Sequence, residues 1–444
     1  MNDKINKKNI FFNKINEFKI DSSPLGEIAL TYFDYLFQGR KKHVANFNTI
    51  KTFIWILSKL RFKNSISEIS GSIVLIPMDN SNKRSLELYE PIQKNLEVNT
   101  FSTISVKDWL KTISFKSFFA WIVNIPKINS ELNKPLKYLV EKKILYPEDC
   151  FALKVLVLKN LLVLKNTVSI LKKSKVKSIL VDWDHDNYQS LIVLAAKVAK
   201  IKTYTLIHGN ICDRSFPIIA DKCICWGPKQ YDYFVENGTN KNRLVIGGNP
   251  RFKNYKNCIS GLKEKLKIGN EKILLHFSQN FPEPNFDEFE FIKIIEDGVK
   301  NCSQDWKLVV KTHPVQNVNL FKEKVNPETI LLDSSIDLKD SLSIADLSII
   351  VNSTTIIDSI LCGVPVTIFH PDAKPEDFQK DLVDYSNSPL TSTSLNITQL
   401  LNSINSDNIK DIMNFKAQVD FINHYCSLKD IQAGEKIAQI LIEK

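Results

Sequence analysis

Cysteine is sparse in this sequence, and its spacing excludes a metal site built on clustered thiols. The eight cysteines are scattered over 444 residues, and none forms a CxxC pair or a Cys/His cluster with metal-ligand spacing. Cys223 and Cys225 alternate along an apolar, strand-like stretch. We therefore expect buried free thiols in a reducing compartment.

Long apolar segments are also missing. No stretch reaches about 18 consecutive apolar residues, which a membrane-spanning helix requires. The amino-terminal residues, MNDKINKKNIFFNKINEFKI, lack the apolar core of a signal peptide. The sequence therefore predicts a cytoplasmic protein.

Dense blocks of Lys and Arg are absent as well. The net charge of +10 is spread along the chain, without the basic block or the aromatic-glycine motif that is typical of nucleic-acid binding. We expect no nucleic-acid partner. A diffusely basic surface suits acidic substrates or anionic lipid headgroups.

The length and the order of the apolar segments predict two α/β domains. A chain of 444 residues is too long for one ordinary core and suits two domains of roughly 200 residues. Short apolar strands alternate with helix-like segments, a pattern typical of parallel sheets covered on both faces. The predicted strands lie within 72–77, 178–183, 203–208, 223–227, 272–278, 306–314, 329–333, 347–351 and 365–369.

A lysine-rich segment with Gly247, Gly248 and Pro250 marks the predicted domain boundary. Two Rossmann-like domains usually bind their ligand in the cleft between them, at the carboxyl ends of the strands. We divide the chain into an N-terminal helical segment (1–65), a first Rossmann-like domain (66–248) with a helical insertion (103–172), a linker (249–270), a second Rossmann-like domain (271–425) and a C-terminal helix (426–444).

The stretch VKDWLKTISFKSFFAWIVNIPK (106–127) is predicted to be helical and combines aromatic residues with lysines. Such a helix can lie on a membrane surface, and it can equally pack on the first sheet. Both interpretations remain open. The aromatic residues in question are Trp109, Phe115, Phe118, Phe119 and Trp121.

Four hydrogen-bonding side chains stand at a predicted strand-to-helix junction of the second domain: Asn352, Ser353, Thr354 and Thr355. Capping a helix needs only one such residue, and the outward N–H groups of a helix start favour an anion such as phosphate. Asp358, about one turn further on, is expected to accept hydrogen bonds from sugar hydroxyls. The alternative is helix capping alone.

Two further loops of the second domain are predicted to follow strands. His313 and Pro314 come directly after KLVVK, whose last residue is Lys311, and an imidazole there can donate to a phosphate oxygen. The alternative is a histidine bonded to the backbone of a turn. Ser278 and Gln279 follow the strand KILLHF and can donate to a diphosphate or a sugar. We assign all five residues to donor binding.

The first domain offers candidates for a general base. His208 ends the strand TYTLI and precedes Gly209. The stretch LVDWDHDNYQ places Asp182, Asp184 and Asp186 at alternate positions, which an extended backbone sends to one face. We expect Asp184, Asp186 or His208 to deprotonate an acceptor hydroxyl. A metal site for a nucleotide diphosphate and a loop that caps the following helix are the alternatives.

Taken together, these motifs resemble the GT-B glycosyltransferases of bacterial surface-polysaccharide assembly. The resemblance covers roughly residues 175–372 and rests on HGN, on ADKCICWGPKQYDYFVENG with LVIGGNPRF, and on HFSQNF, KTHP and NSTTIIDSILCGVPV. The bacterial sialyltransferases and polysialyltransferases of that group carry an acidic motif, a His-Pro motif and a Ser-Ser/Thr motif. Their acidic motif usually ends in glycine, which DWDHDN lacks.

The resemblance implies an α/β chain of two Rossmann-like domains whose parallel sheets face a central cleft. It further implies a metal-independent transferase without a cofactor, in which His313 and Pro314 meet the donor's phosphate and Ser353 with Thr354 binds it. The donor would be a nucleotide-sugar, with a CMP-nonulosonate type favoured over a UDP-sugar. The acceptor would be a capsule or lipopolysaccharide glycan, or a lipid-linked one, at the inner face of the membrane.

Related activities stay open as alternatives. CDP-glycerol phosphotransferases, Kdo transferases and UDP-N-acetylglucosamine 2-epimerases share the fold, and a catalytically inactive glycan-binding scaffold would keep the same cleft. An epimerase is expected to carry a Ser-Gly-Gly stretch where this chain has NSTTIID, so it ranks below a transferase.

Overall fold

The fold divides into two units, each built around a parallel sheet. The computed structural model describes residues 3–37, 61–63, 69, 71–77, 83–97, 100–104, 112–207, 209, 211, 215–253, 261–278, 287–313, 316–351, 353–368, 397–404, 408–427 and 432–443. Unit 1 comprises Met1–Arg251 and Gln432–Lys444, and unit 2 comprises Phe252–Ile431. The chain therefore leaves unit 1 within the predicted linker and returns to it with its last helix.

Unit 1 is built on a six-stranded, wholly parallel sheet with the order β10-β9-β8-β7-β4-β5. Two smaller pairs, antiparallel β1-β2 and parallel β3-β6, lie outside it. The strands are β1 Lys19–Ile20, β2 Ser23–Pro24, β3 Arg61–Lys63, β4 Ile73–Ile76, β5 Phe101–Thr103, β6 Thr112–Ser114, β7 Ser178–Val181, β8 Lys202–Leu206, β9 Lys222–Cys225 and β10 Leu244–Ile246.

Helices account for most of the remaining described part of unit 1. The predicted insertion 103–172 consists mainly of the two long helices α5 and α6. The helices are α1 Asp3–Asn16, α2 Leu25–Ile28, α3 Leu30–Phe37, α4 Lys83–Gln93, α5 Phe115–Glu141, α6 Cys150–Lys173, α7 Asn187–Val198 and α8 Pro228–Glu236. No helix in the described ranges is long and apolar enough to cross a membrane.

Unit 2 contains a five-stranded parallel sheet with the order β13-β12-β11-β14-β15. Its strands are β11 Lys272–Phe277, β12 Trp306–Lys311, β13 Ile330–Leu332, β14 Leu347–Ile350 and β15 Val366–Ile368. Its helices are α9 Leu262–Lys265, α10 Glu288–Lys300, α11 Val318–Lys324, α12 Leu338–Ser343, α13 Thr355–Leu361, α14 Ile397–Ser403, α15 Ile409–Ile412 and α16 Phe415–Cys426.

The last helix, α17 Ala433–Ile442, completes the core of unit 1. Ile437 packs with Leu75 and Leu180 on one face of the six-stranded sheet. The alternate residues of the same strands, such as Val74 and Ile179, face the other core, which α5, α6 and α7 cover. Because both faces are buried, the strands read as continuous apolar runs in the sequence.

Capping residues set the starts of the helices in unit 2. Asp287, Asn317 and Asp337 each accept a hydrogen bond from the backbone N–H two residues further on, at 2.8, 3.1 and 2.8 Å. These bonds satisfy N–H groups that a helix start leaves without an intrahelical partner. The helices capped in this way are α10, α11 and α12.

The prediction of free thiols holds for five of the described cysteines and is wrong for one. Cys362, at the end of α13, is disulfide-bonded. The five free thiols are those of Cys150, Cys223, Cys225, Cys302 and Cys426.

Candidate functional site

Three predicted donor-binding loops of unit 2 lie side by side. β11 is hydrogen-bonded to β12 on one side and to β14 on the other, and all three strands are parallel. Ser278 follows β11, His313 follows β12 and Ser353 follows β14. Because parallel strands end at the same edge of a sheet, these loops meet at the carboxyl edge, where open α/β sheets bind ligands.

Gln316 joins two of these loops and was not among the residues predicted from the sequence. Its side-chain Oε1 accepts a hydrogen bond from the backbone N–H of His313 at 2.9 Å and another from Ser278 Oγ. Ser278 N–H in turn donates to the carbonyl of Lys311 at 3.0 Å. The β11 and β12 loops are therefore held in one arrangement. The only sequence signal was the short spacing within KTHPVQ.

His313 is exposed, on a loop whose base is firmly held. The preceding residue, Thr312, is buried, and its N–H and Oγ1 donate to the carbonyl of Leu332 at 2.9 and 3.2 Å. This anchoring fixes the backbone from which the imidazole projects. Pro314 lies outside the described residues.

Lys311 does not offer an ammonium group at this edge, contrary to its predicted donor-binding role. The residue is buried, and its Nζ donates to the carbonyl of Asp333 at 2.6 Å. Burial lowers the pKa of Lys311, although the charges of Asp333 and Asp337 act in the opposite direction. The side chain joins β12 to the segment after β13, so its role is structural.

At the junction after β14, more backbone N–H groups have hydrogen-bond partners within the turn than predicted. Ser353 Oγ accepts from Thr355 N–H at 3.3 Å, while Ile356 N–H donates to the carbonyl of Ser353 at 3.2 Å and Ile357 N–H to that of Thr354 at 3.0 Å. These first-turn N–H groups therefore have partners within the turn, and the prediction that they point outward is wrong. The side chains of Ser353 and Thr354 remain half-buried at the edge.

Asp358 lies deeper than expected, and so does the hydroxyl of Thr355. Asp358 is fully buried on α13, which packs against α16, because the helix turns that side chain into the unit. The expectation that its carboxylate is presented at the sheet edge is therefore wrong. Thr355 Oγ1 is buried and has no hydrogen-bond partner within the described ranges.

In unit 1, Asp184 supports a neighbouring segment of the chain. Residues 217–220, which lead from β8 into β9, adopt neither helix nor strand. Asp184 Oδ2 accepts from Ile219 N–H and Ala220 N–H at 2.7 and 2.8 Å, and Arg243 donates to the carbonyl of Ala220. A buried irregular segment needs such partners for its backbone groups. Asp184 is thus a structural anchor, and these contacts argue against its predicted role as base.

His185 completes this support from the next position. Its Nε2 lies 2.7 Å from the carbonyl oxygen of Pro217 and its Nδ1 lies 3.1 Å from Asp34 Oδ2. Both ring nitrogens of His185 are thus within hydrogen-bonding distance of an oxygen atom. Lys8 Nζ lies 2.5 Å from Asp34 Oδ1, so a buried chain of charges links α1 and α3 to the acidic loop.

The two other carboxylates of the acidic motif are also engaged. Asp186 Oδ2 accepts from the N–H groups of Tyr188 and Gln189 at 3.1 and 3.4 Å and so caps α7. Asp182 Oδ1 accepts from Gln189 Nε2 at 2.5 Å. The capping alternative is therefore the arrangement that the structure shows for Asp186, which departs from the prediction of a base.

Four predicted site residues lie outside the described residues: His208, Gln279, Pro314 and Asn352. Their predicted roles stay predictions. Within the described ranges, no three His, Cys, Asp or Glu side chains come together as a ligand set for a metal ion.

The chain resembles solved structures in its fold. No protein-family model matches the chain, and no curated protein matches it in sequence. Alr3699/HepE from Anabaena, solved in complex with UDP and glucose, is 14% identical with a TM-score of 0.50, over 84% of this chain and 100% of that one. The wall teichoic acid polymerase TagF, soaked with CDPG, is 10% identical with a TM-score of 0.50, over 94% and 96%.

The chain has the GT-B fold. The predicted class, α/β with two Rossmann-like domains and parallel sheets, is thereby confirmed. At sequence identities this low, the similarity shows a shared fold and nothing more. The ligands bound in those two structures are properties of those proteins.

Proposed function

We propose that the protein is a glycosyltransferase that moves a sugar from a nucleotide-sugar to a hydroxyl of a cell-surface glycan or a lipid-linked acceptor. The observation that carries the proposal is the junction at which Gln316 holds the loops of Ser278 and His313 together. It lies at the carboxyl edge of a parallel sheet, the usual ligand-binding edge of such folds. The two GT-B relatives, solved with UDP and glucose and with CDPG, add support.

In this proposal unit 2 holds the donor. His313 donates a hydrogen bond to the nucleotide phosphate, assisted by the hydroxyls of Ser353 and Thr354. The acceptor oxygen attacks the anomeric carbon, and the phosphate leaves with the electron pair of the broken bond. Negative charge develops on that phosphate, so donors fixed in advance stabilise the transition state more than the ground state.

In unit 1 we place the base at His208, which follows β8. Of the three predicted candidates, Asp184 and Asp186 accept backbone hydrogen bonds within the unit. A carboxylate engaged in this way gives up structural bonds when it takes a proton. Histidine is the side chain most often used as a general base, so we assign the proton of the acceptor hydroxyl to His208.

The identity of the donor is the finer part of the proposal. The sequence motifs favour a CMP-nonulosonate, and a UDP-sugar is the next candidate. A polyol-phosphate transferase with a CDP-glycerol-like donor is the main alternative activity, followed by a UDP-sugar 2-epimerase and an inactive glycan-binding scaffold. We propose that the reaction needs no metal and no cofactor, and that the acceptor belongs to a capsule or lipopolysaccharide.

A nucleotide screen tests the donor site. The melting temperature is measured with CMP, CDP, UDP and GDP at equal concentration, since a ligand that binds only the folded state raises it. We expect one pyrimidine nucleotide to raise it by several degrees and to inhibit sugar transfer. If none of the four raises it by about a degree, the donor site proposed here does not exist. Turnover that is unchanged by a chelator is expected, and its loss would show that a metal is required.

A further inference from the structure

Helix α5 begins with an exposed apolar stripe. Phe115, Phe119, Ile122 and Val123 are 47, 62, 42 and 78% exposed. Their spacing of four, three and one residues places them on one face of a helix, over a length of about 12 Å. Single exposed apolar side chains are ordinary, but four in three turns are a patch that marks an interaction surface.

The opposite face of α5 shows that the stripe is not a poorly packed core. Trp121 is buried, and its indole N–H donates to the carbonyl of Leu158 on α6 at 2.8 Å. Phe118 is half-buried and stacks on Trp121. Two of the aromatic residues that the sequence offered for membrane contact are thus inside unit 1, and Trp109 lies outside the described residues. Ile122 and Val123 are exposed instead, although they were not among the aromatic residues considered for membrane contact.

Charge distinguishes between the partners that could cover the stripe. The sequence has no Asp or Glu between Asp108 and Glu131, and Lys116 is exposed beside the apolar side chains. Lys127 is also exposed, and its Nζ lies 3.7 Å from Asp21 Oδ1 and 3.6 Å from Glu131 Oε1. A second copy packed on this stretch would offer Lys116 no acidic side chain from residues 109–130. An anionic bilayer surface receives the apolar side chains below its headgroups and attracts the lysines at headgroup level.

We propose that the stripe binds an anionic membrane surface, with α5 lying along the interface. This inference does not depend on the transfer reaction, because it rests only on the exposure and charge of α5. It places unit 1 beside lipid.

Vesicle sedimentation tests it. The full chain is mixed with vesicles of phosphatidylcholine alone or with about one third phosphatidylglycerol, in low and high salt. We expect binding to the anionic vesicles, weakened by salt. The double variant Phe119→Ser/Val123→Ser should bind roughly tenfold less well because it buries two fewer apolar side chains. Lys116→Gln should weaken the preference for the anionic lipid, and Lys127 is left in place because it pairs with Asp21 and Glu131.

The matched control is Leu86→Ser/Ile442→Ser, which removes side chains that are 53 and 60% exposed elsewhere on unit 1. It should bind as the wild type does, and circular dichroism checks that both double variants are folded. The proposal is overturned if the wild type ignores anionic vesicles or if the stripe variant binds equally well. It is also overturned if light scattering finds a dimer that the stripe variant abolishes, because a second copy then covers this face.

Discussion

The side-chain oxygen of Gln316 accepts a hydrogen bond from the backbone N–H of His313 at 2.9 Å. The backbone N–H of Gln316 donates to the carbonyl of His313, also at 2.9 Å. The two residues close a tight loop directly after β12. Because the same side-chain oxygen also accepts from Ser278, one glutamine sets the geometry of two loops.

Replacement of Gln316 should weaken nucleotide binding without touching the ligand. In Gln316→Ala the backbone of His313 and the hydroxyl of Ser278 lose their acceptor, and we expect binding about tenfold weaker. Titration calorimetry measures this directly. Gln304→Ala is the control, since Gln304 precedes the amino end of the same strand. Equal losses in both variants would show that Gln316 has no special role.

Asp184 should matter for folding more than for chemistry. Asp184→Ala leaves two N–H groups of a buried segment without their acceptor, and we expect a loss of about 2–4 kcal/mol in the free energy of unfolding. Asp184→Asn keeps one oxygen and should transfer sugar at nearly the wild-type rate per folded molecule. A fall in that rate of a thousandfold, with the fold intact, would make Asp184 the base.

Asp34 should contribute strongly to stability, because it is the counter-charge of buried Lys8. Asp34→Asn leaves Lys8 buried without its counter-charge, and we expect destabilisation of about 3–5 kcal/mol. Lys7→Ala, which removes an exposed ion pair with Asp3, should change stability by less than about 0.5 kcal/mol. Urea unfolding compares the two variants, and similar costs would contradict the account.

The pH dependence of Asp34 follows from the same contacts. Burial alone would raise its pKa, but the hydrogen bond and charge of His185, together with Lys8, lower it below the ordinary value of 3.8. Its stabilising contribution is therefore present above that pH and is lost as the pH falls through the lowered pKa. The acid limb of the unfolding curve should be flatter in Asp34→Asn than in the wild type.

Tyr32→Phe should stabilise unit 1. The hydroxyl of Tyr32 is buried and has no hydrogen-bond partner in the described part of the chain, so its removal should gain about 1 kcal/mol. Burial, with smaller effects of Asp149 and Cys150, also raises the pKa of Tyr32 well above 10.0. The unfolded phenol ionises first, so wild-type stability falls above pH 10 and the gain should widen there. Tyr146→Phe, at an exposed position, should show neither effect.

The sequence predicted the sheets because parallel strands covered on both faces are continuous apolar runs. The runs at 272–278 and 347–351 became β11 and β14, with ends one residue away. The strand positions depend on neighbours in sequence and were therefore predicted accurately.

Predictions of side-chain roles that depend on partners distant in the sequence were not accurate. Asp184 looked like a base because its partners, at residues 219 and 220, are some thirty-five positions away. Asp358 looked accessible because helical spacing alone cannot show that residues 356–360 of α13 are all buried. Gln316 was missed because its importance comes from a bond to Ser278, on another strand. The roles of these residues depend on their tertiary contacts and not on their residue type alone.

The most direct test of the account is calorimetric titration of the best nucleotide from the screen into three proteins. The wild type is compared with His313→Ala and with His424→Ala, which removes another exposed histidine of unit 2, on α16. The account predicts at least about a tenfold loss of affinity in His313→Ala and none in His424→Ala. Unchanged affinity in His313→Ala would contradict the placement of the donor phosphate at this edge.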